Sequence, residues 1–347
     1  MIIVTGGAGF IGSYVAAELQ AKGYKDIVIV DRLGSDDKWK NIAKRELRAI
    51  VAPEETFSFL EEHKTEITAV IHMGAISTTT EKDADLIIRS NFQLSQKLWY
   101  FCCENNVQYI YASSAATYGD GNMGFTDDES LDFLNSLRPL NPYGWSKIGR
   151  VSGCGLRPLN PYGWSKALFD RFAAREIMEK RPVPKQYAGL KFFNVYGPNE
   201  YHKGGQKSVV AHIFPDVKND REVKLFKSYN PAYRDGEQLR DFVWVGDTAS
   251  VILWLLENPQ VNGLFNVGTG EARSFYDLAK AVWAAMGKTP KIGFKEMPEE
   301  LRGKYQYYTK ADLTKLRKAG YTAPMTSLED GVRQYVQQYL NEEDMYK

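Results

Sequence analysis

One eleven-residue string, LRPLNPYGWSK, occurs twice, at Leu137–Lys147 and nineteen positions later at Leu156–Lys166. Each copy contains Y-x-x-x-K. A tyrosine and a lysine four apart project from one face of a helix. There the ammonium is expected to lower the phenol's pKa by favouring the phenolate. A phenol so tuned exchanges a proton with a substrate hydroxyl while hydride moves to or from a nicotinamide. Upstream, YASSAATYG (Tyr111–Gly119) reads as a strand ending in hydroxyls, and Ser114 is the candidate to hold the same oxygen.

A second chemical segment opens the chain. VTGGAGFIG places Gly6, Gly9 and Gly12 between an apolar run and a helical stretch, and an acid, Asp31, closes the next apolar run. Gly6 permits a tight turn, Gly9 lets backbone N–H groups approach a pyrophosphate, and Gly12 lets the helix pack on the sheet with its N-terminus towards the anion. With the acid about twenty residues on, the context points to dinucleotide binding. The residues leave the choice of dinucleotide open. Asp31 favours NAD through a ribose 2′-OH, whereas Arg32, with Lys38 and Lys40 nearby, favours a 2′-phosphate and hence NADP.

The elements that must position these residues are legible as a pattern. Short apolar runs, Ile2–Val4, Ile27–Asp31, Thr68–Ala75 and Gln108–Ser114, alternate with helical stretches near Ser13–Lys22 and Asp83–Asn105. Runs without polar alternation predict strands buried on both faces of a parallel sheet. Strands spaced by helices predict right-handed βαβ units, a Rossmann-type doubly wound α/β fold. Gly189–Gly197 reads as a sixth strand, Asp241–Asp247 as a further short one, and Ser274–Gly287 as a helix. Gly197 to Arg240 is polar with little periodicity. The expected division is a dinucleotide domain over 1–196 plus about 241–268, and a smaller α/β substrate lobe over about 197–240 and 269–347.

Composition narrows the function by exclusion. Lys+Arg of 44 against Asp+Glu of 43 offers no footprint for nucleic acid or an anionic membrane. Three cysteines, two of them adjacent, and four scattered histidines fit neither a disulfide framework nor a metal site. With no basic-then-apolar leader and no run near ~18 apolar residues, the expectation is a soluble cytoplasmic protein acting on a small molecule.

After G-x-x-G-x-x-G, a strand ending S-S-A-A-T-Y-G and Y-x-x-x-K, the chain resembles the extended short-chain dehydrogenase/reductase family of nucleotide-sugar epimerases and dehydratases. The resemblance spans nearly the whole chain. FFNVYGPNEYHKGG (Phe192–Gly205), AHIF (Ala211–Phe214), LRDFVWVGD (Leu239–Asp247), FNVGTG (Phe265–Gly270) and LRGKYQYYTKADL (Leu301–Leu313) resemble its members that act on an ADP-heptose. That resemblance implies inversion of C6″ of ADP-glycero-manno-heptose through a transient ketone, with NADP bound, in supply of heptose for lipopolysaccharide. It implies a second acid/base group, Lys203, and cofactor contacts from Phe10, Ile11, Asp31, Arg32, Lys38, Met73, Gly74, Ala75, Ile76, Ser77, Asn91, Lys166 and Val195. Substrate contacts are implied for Ser114, Asn194, Gly205 and His212, for Phe226, Lys227, Ser228 and Tyr229, and for Arg240 and Tyr305. Arg240 suits a diphosphate, since a guanidinium binds it bidentately. A homo-oligomer, a pentamer, is also implied. Two departures stand out. Gly205 occupies a place where a small hydroxyl residue is frequent, and Ala49–Ile50 replace an acid often found near the adenine.

Only context separates the two copies. The second continues as ALFDRFAAREIMEK, whose Leu168, Phe169, Phe172, Ala173 and Ile177 form an apolar stripe at helical spacing. Asn160 and Pro161 supply a cap and a first-turn proline. The first copy runs into IGRVSGCG, where Gly149, Gly153 and Gly155 each cost about 1 kcal/mol in a helix. The first copy lies nearer Ser114, but doubling a loop costs only ~0.6 kcal/mol. Tyr162 and Lys166 are therefore the expected pair, with a duplicated insert around 148–166 and Lys147–Gly155 displaced as a surface loop. The rival readings are a UDP- or dTDP-sugar 4-epimerase or 4,6-dehydratase, and a non-catalytic dinucleotide sensor. A dehydratase usually shows an acidic pair where this chain has Ala115–Ala116.

Overall fold

The computed structural model describes residues 1–77, 81, 83–119, 121–137, 161–302 and 305–347. The whole first repeat after Leu137, the expected surface loop, and the second repeat up to Asn160 lie outside the described residues. In chain order the first half comprises β1 (Ile2–Thr5), α1 (Phe10–Ala21), β2 (Ile27–Val30), β3 (Ala49–Val51), α2 (Thr56–Glu62), β4 (Ala69–His72), α3 (Ala84–Ile87), α4 (Leu94–Glu104), β5 (Gln108–Ser114) and α5 (Leu131–Ser136). The second half continues with α6 (Pro161–Met178), β6 (Gln186–Phe192), β7 (Asn194–Tyr196), α7 (Val209–Lys218), β8 (Val223–Phe226), β9 (Leu239–Arg240), β10 (Phe242–Trp244) and α8 (Val245–Glu257). Then follow β11 (Gly263–Val267), β12 (Arg273–Ser274), α9 (Phe275–Ala285), β13 (Ile292–Lys295), α10 (Glu299–Arg302), α11 (Thr314–Lys318) and α12 (Leu328–Tyr335).

Seven strands form one sheet in the order β11-β6-β5-β4-β1-β2-β3, every pair parallel. Alternate side chains face opposite layers, as the pleat requires. Val4, Ile29, Ile71 and Ile110 pack with α1 and α8, while Ile3, Val28, Val70 and Tyr109 pack with α2, α4 and α6. This is the doubly wound sheet that the uninterrupted apolar runs predict. On α6, Phe169 and Ala173 are buried and Phe172 packs beside them, with Trp99 in edge-on contact with both phenyl rings. Among the described residues no helix is long and apolar enough to cross a membrane.

Several details depart from the expected elements. The sixth strand breaks after Phe192, and Asn194–Tyr196 leave the sheet to pair with β10. The stretch expected as one strand over Asp241–Asp247 turns helical at Val245. The polar stretch 197–240 holds a helix, α7, capped by the Ser208 side chain, which accepts from the Ala211 N–H. Its apolar face packs on the same hydrophobic cluster as α9 and α12. Between α3 and α4, Ile88–Gln93 form a π-helical turn inside a continuous helix, a distortion that often marks functional positions.

Candidate active site

Loops leave the carboxyl ends of β1, β4 and β5, where open α/β sheets bind ligands at the point where strand order reverses. The glycine loop follows β1. Gly6 has φ +64°, and a Cβ there would lie 2.6 Å from the Gly74 backbone. A Cβ on Gly12 would lie 2.3 Å from the Gly6 carbonyl oxygen. Gly9 donates its N–H to that same oxygen at 3.0 Å and caps α1. No side chain fits at Gly6 or Gly12, so the loop presents bare backbone at the start of a helix. That cradle suits a dinucleotide pyrophosphate.

Asp31 is engaged within the protein. One carboxylate oxygen accepts from Ala8 N–H at 2.9 Å, and the other from Arg32 N–H at 2.7 Å and from the Lys38 ammonium at 2.6 Å. The Arg32 side chain extends into solvent and pairs with Glu54. After β4, Met73 and Gly74 donate N–H groups to the Thr5 carbonyl and hydroxyl at 3.0 and 3.2 Å. Asn91, in the π-helical turn, brackets the next loop. Its Oδ1 accepts from Ile76 N–H at 2.8 Å, and its Nδ2 donates to the Ile76 carbonyl at 3.0 Å and to Ser165 Oγ at 3.1 Å. The loop of Met73–Ser77 is thus tied to the helix carrying Tyr162 and Lys166.

Lys166 is 3% exposed and donates to the Ala112 carbonyl at 2.7 Å. Burial pushes its pKa down to about 8, with the charge of Asp170 opposing. Tyr162 hydrogen-bonds with Ser114, which caps the turn Ala115–Tyr118 by accepting from Ala116 N–H at 3.1 Å. The expected lowering of the phenol by Lys166 is not seen. Burial raises Tyr162, and the bond to Ser114 is the one opposing cause. The ammonium is spent on a strand carbonyl instead. Deeper in the sheet, His72 bridges Thr5 Oγ1 at 2.6 Å and Ser95 Oγ at 2.9 Å. Burial, reinforced by the Lys166 charge, holds its imidazole down to about 3 and therefore neutral.

Lys203 lies on a short 3-10 segment, Tyr201–Gln206, broken at Gly204 with φ +54°. Its ammonium sits 5.1 Å from the centre of the Phe10 ring, at the start of α1. Burial lowers its pKa, against the attraction of Glu200. The segment is stitched to the glycine loop. Asn41 donates to the Ala8 carbonyl at 2.8 Å and the Asn199 carbonyl at 3.1 Å, and lies 3.2 Å from His202 Nδ1. Val195 and Asn194 lie on β7, and His212 on α7 faces the Gly205 carbonyl at 3.2 Å.

Arg240 is buried, donates to the Leu239 carbonyl at 2.8 Å, and stacks 5.1 Å from the Tyr305 ring. Among the described residues it has no carboxylate partner, an arrangement that suits an incoming diphosphate. Phe226 ends β8, and Lys227 and Ser228 follow it. Lys227 pairs with Glu296 at 2.7 Å, Tyr229 hydrogen-bonds Glu296 and lies under the Arg302 guanidinium at 4.1 Å, and Ser228 N–H donates to Asp235. The structure thus groups Tyr162, Lys166 and Ser114, groups Lys203 with Phe10, and groups Arg240 with Tyr305. It places Lys227 and Tyr229 on an exposed cluster with Glu296, joined to the Arg240 group because Tyr229 N–H donates to Tyr307 Oη at 3.0 Å and Tyr307 packs on Tyr305.

Three supporting groups escaped the sequence reading. Asp241 collects the N–H groups of Thr269, Gly270 and Ala311 at 2.6–2.9 Å, joining the Arg240 strand to two later segments. Gln306 donates to the Gly119 carbonyl at 2.8 Å, tying the Tyr305 segment to the Ser114 turn. Asp170 and Lys191 form a fully buried ion pair at 2.8 Å behind Lys166. The acid after LR in LRDF was a signal for the first; nothing in the pattern marked the others.

A glycine cradle at a switch point, with a tyrosine–lysine helix beside it, defines a dinucleotide-dependent enzyme of the short-chain type. Residues 2–154 and 149–268 each match the NAD dependent epimerase/dehydratase family, two matches that meet at the repeat. The chain belongs to that family. It is 48% identical over 354 residues, covering 100% of both chains, to the ADP-L-glycero-D-manno-heptose-6-epimerase of Fusobacterium nucleatum. Among solved structures it resembles the enzyme of that name from Helicobacter pylori, with TM-score 0.72, 27% identity, and 97% of this chain and 95% of that one covered. A UDP-N-acetylglucosamine 4-epimerase from Methanobrevibacter ruminantium superposes comparably, with TM-score 0.74 at 22% identity over 98% of each chain. Fold therefore does not discriminate the sugar.

Proposed function

We propose that the protein inverts C6″ of ADP-glycero-manno-heptose, by transient oxidation to a ketone and reduction on the other face, with NADP as the resident cofactor. The observation that carries this reading is the full-length 48% identity to an enzyme of that name. The residues present fit the cofactor: Gly6, Gly9 and Gly12 leave the backbone bare for a pyrophosphate, and the Met73–Ser77 loop with Asn91 frames the adjoining wall. The preference for NADP is supported by Lys38, whose ammonium offsets the Asp31 carboxylate that would otherwise favour NAD, and by Arg32 beside it, which pairs with Glu54 at the surface. When bound, the nicotinamide supplies the group that takes hydride from C6″ and returns it. Tyr162 exchanges the proton of the C6″ hydroxyl, with Ser114 orienting that oxygen. Lys166 holds its ammonium behind the tyrosine. Lys203 supplies proton traffic on the opposite face. Arg240, stacked on Tyr305, binds the diphosphate, and His212, Asn194 and the Phe226–Tyr229 segment bound the sugar-nucleotide. The cytoplasm and a homo-oligomer, a pentamer, complete the proposal.

The test is C6″ inversion of ADP-heptose, followed by NMR, in the wild type, Tyr162→Phe and Tyr143→Phe. Tyr162→Phe is expected to lower turnover by about 10²–10⁴-fold, while Tyr143→Phe stays active. Loss on Tyr143→Phe with Tyr162→Phe intact refutes the assignment of the pair. Turnover of a UDP-hexose in place of ADP-heptose refutes the substrate.

A further inference from the structure

The repeat ends at Lys166, but the helix carries one more residue in register with the pair. Asp170 stands one turn beyond Lys166 on α6, whereas the residue nineteen positions before it is Val151. Y-x-x-x-K-x-x-x-D therefore occurs in the second copy alone. Asp170 is 3% exposed, and its Oδ2 accepts from Ser113 Oγ at 2.7 Å and from Lys191 Nζ at 2.8 Å. Lys191, on β6, also donates to Thr117 Oγ1 at 2.6 Å and lies 4.8 Å above the Tyr118 ring. Ser113 and Thr117 bracket Ser114. One buried pair thus touches the helix of Tyr162 and Lys166, the strand that ends in Ser114, and the turn that follows.

Burying two charges together is a poor way to gain stability. Desolvation takes back most of the attraction, and apolar residues of similar volume are often as stable or more so. Neither residue has a role in the chemistry described above. Yet among the described residues Asp170 is the one acid acting on the Lys166 ammonium, which otherwise meets a neutral carbonyl.

We infer that Asp170 and Lys191 are positioning residues for this active site: they lock α6 to β5 and β6 so that Tyr162, Lys166 and Ser114 converge, and Asp170 supplies the counter-charge of Lys166. The inference rests on the reading of Tyr162 and Lys166 as the working pair. Other titratable groups around them are His72 on β4, which is neutral, Tyr111 on β5, and Tyr118 in the following turn. Asp85 and Arg89, on the segment packed against α6, and Asp132 on α5 are exposed to solvent. None of these duplicates the carboxylate of Asp170.

The decisive variant is the double substitution Asp170→Asn with Lys191→Gln, which removes both charges while keeping hydrogen-bonding amides. It is compared with Lys191→Arg, which keeps the pair. The double variant is expected to fold with a Tm near the wild type. Turnover falls at least tenfold, and the alkaline limb of kcat moves to lower pH, since an opposite charge nearby favours the ionised amine and the Asp170 carboxylate, one helical turn from Lys166, outweighs the Lys191 charge lost with it. Lys191→Arg retains most turnover and the wild-type profile. A second readout needs no sugar: NMR titration of protein labelled with ¹³C at lysine Cε, with Lys166 assigned from Lys166→Met. Its midpoint is expected to fall in the double variant. If the wild type does not invert ADP-heptose but the Lys166 midpoint falls, the substrate reading fails and the positioning stands. An unmoved midpoint overturns the inference. So does a double variant that cannot fold, because the pair would then be structural.

Discussion

Lys166→Met separates the chemistry of the site from its effect on stability. The Lys166 ammonium is 3% exposed and, among the described residues, has one hydrogen bond, to the Ala112 carbonyl, and burial takes its pKa from 10.5 to about 8. The sign follows from proton counting. Between pH 8 and 10.5 the unfolded chain still binds the proton that the folded chain has released, so stability rises with pH across that window. Below pH 8 both states are protonated, and the folded state carries the whole penalty. At about 1.36 kcal/mol per pH unit, the gap between 10.5 and about 8 is worth about 3 kcal/mol. Methionine keeps most of the aliphatic stem and discards the charge. Losing the bond to Ala112 returns about 1 kcal/mol.

The cofactor-free Lys166→Met protein is therefore expected to be more stable than the wild type at pH 7 by about 2 kcal/mol, with the advantage shrinking as pH rises from 8 to 10.5. Its turnover is expected to fall by about 10²–10⁴-fold, the range for a lost acid–base arrangement. Denaturant unfolding at pH 7 and pH 10, beside the inversion assay, measures both. A variant no more stable than the wild type at pH 7, or one whose advantage is the same at both pH values, would refute the reasoning.

Burial holds the His72 imidazole down to about 3, so the folded chain keeps it neutral while the unfolded chain protonates near pH 6.5. That contribution is complete above pH 6.5 and wanes as pH falls towards 3; between pH 6.5 and 5 the wild type should lose about 2 kcal/mol that His72→Gln does not lose, as read by urea unfolding. Gly12→Ala pushes a methyl to 2.3 Å from the Gly6 carbonyl oxygen. At about 1–3 kcal/mol for such overpacking, NADP affinity measured by calorimetry should weaken roughly ten- to a hundredfold. Arg240→Gln should raise the KM for ADP-heptose by roughly ten- to a hundredfold, for the loss of a charged hydrogen bond worth about 1.5–3 kcal/mol. Its Tm should hold or rise, because among the described residues the buried guanidinium has no carboxylate partner; a marked fall would show it to be structural.

What was legible in the sequence was whatever a short window contains. The glycine spacing, the acid closing β2 and the two-faced apolar runs each state a local requirement, and together they define the doubly wound sheet, though not its edge strands β3 and β11. The pairings of the smaller sheets were not legible, because strands of two to four residues are too short to show a period; of these only β7 and β10 fell within stretches read as strands. Helix α7 was missed because a polar stretch surrounds it, although Val210, Ile213, Phe214 and Val217 are spaced for one apolar helical face. The same holds within the site. Lys203 reads as a loop cation until Asn41 and Asn199 stitch its segment to the glycine loop. Lys227 and Tyr229 read as ligand contacts, and only the fold reveals Glu296 engaging both.

The repeat takes this to its limit, since its two copies are identical in every residue that does chemistry. What distinguishes the second copy lies outside the repeated string: an apolar stripe that meets Trp99, and an aspartate that meets Lys191. Neither partner is near in sequence. Trp99 lies on α4, before both copies, and Lys191 on β6, after them. A tyrosine and lysine four apart are thus only a potential acid–base pair. In the proposed pair the next turn of the same helix has somewhere to pack and a buried charge to answer, conditions that the residues following Lys147, Ile148 to Gly155, do not offer in their sequence.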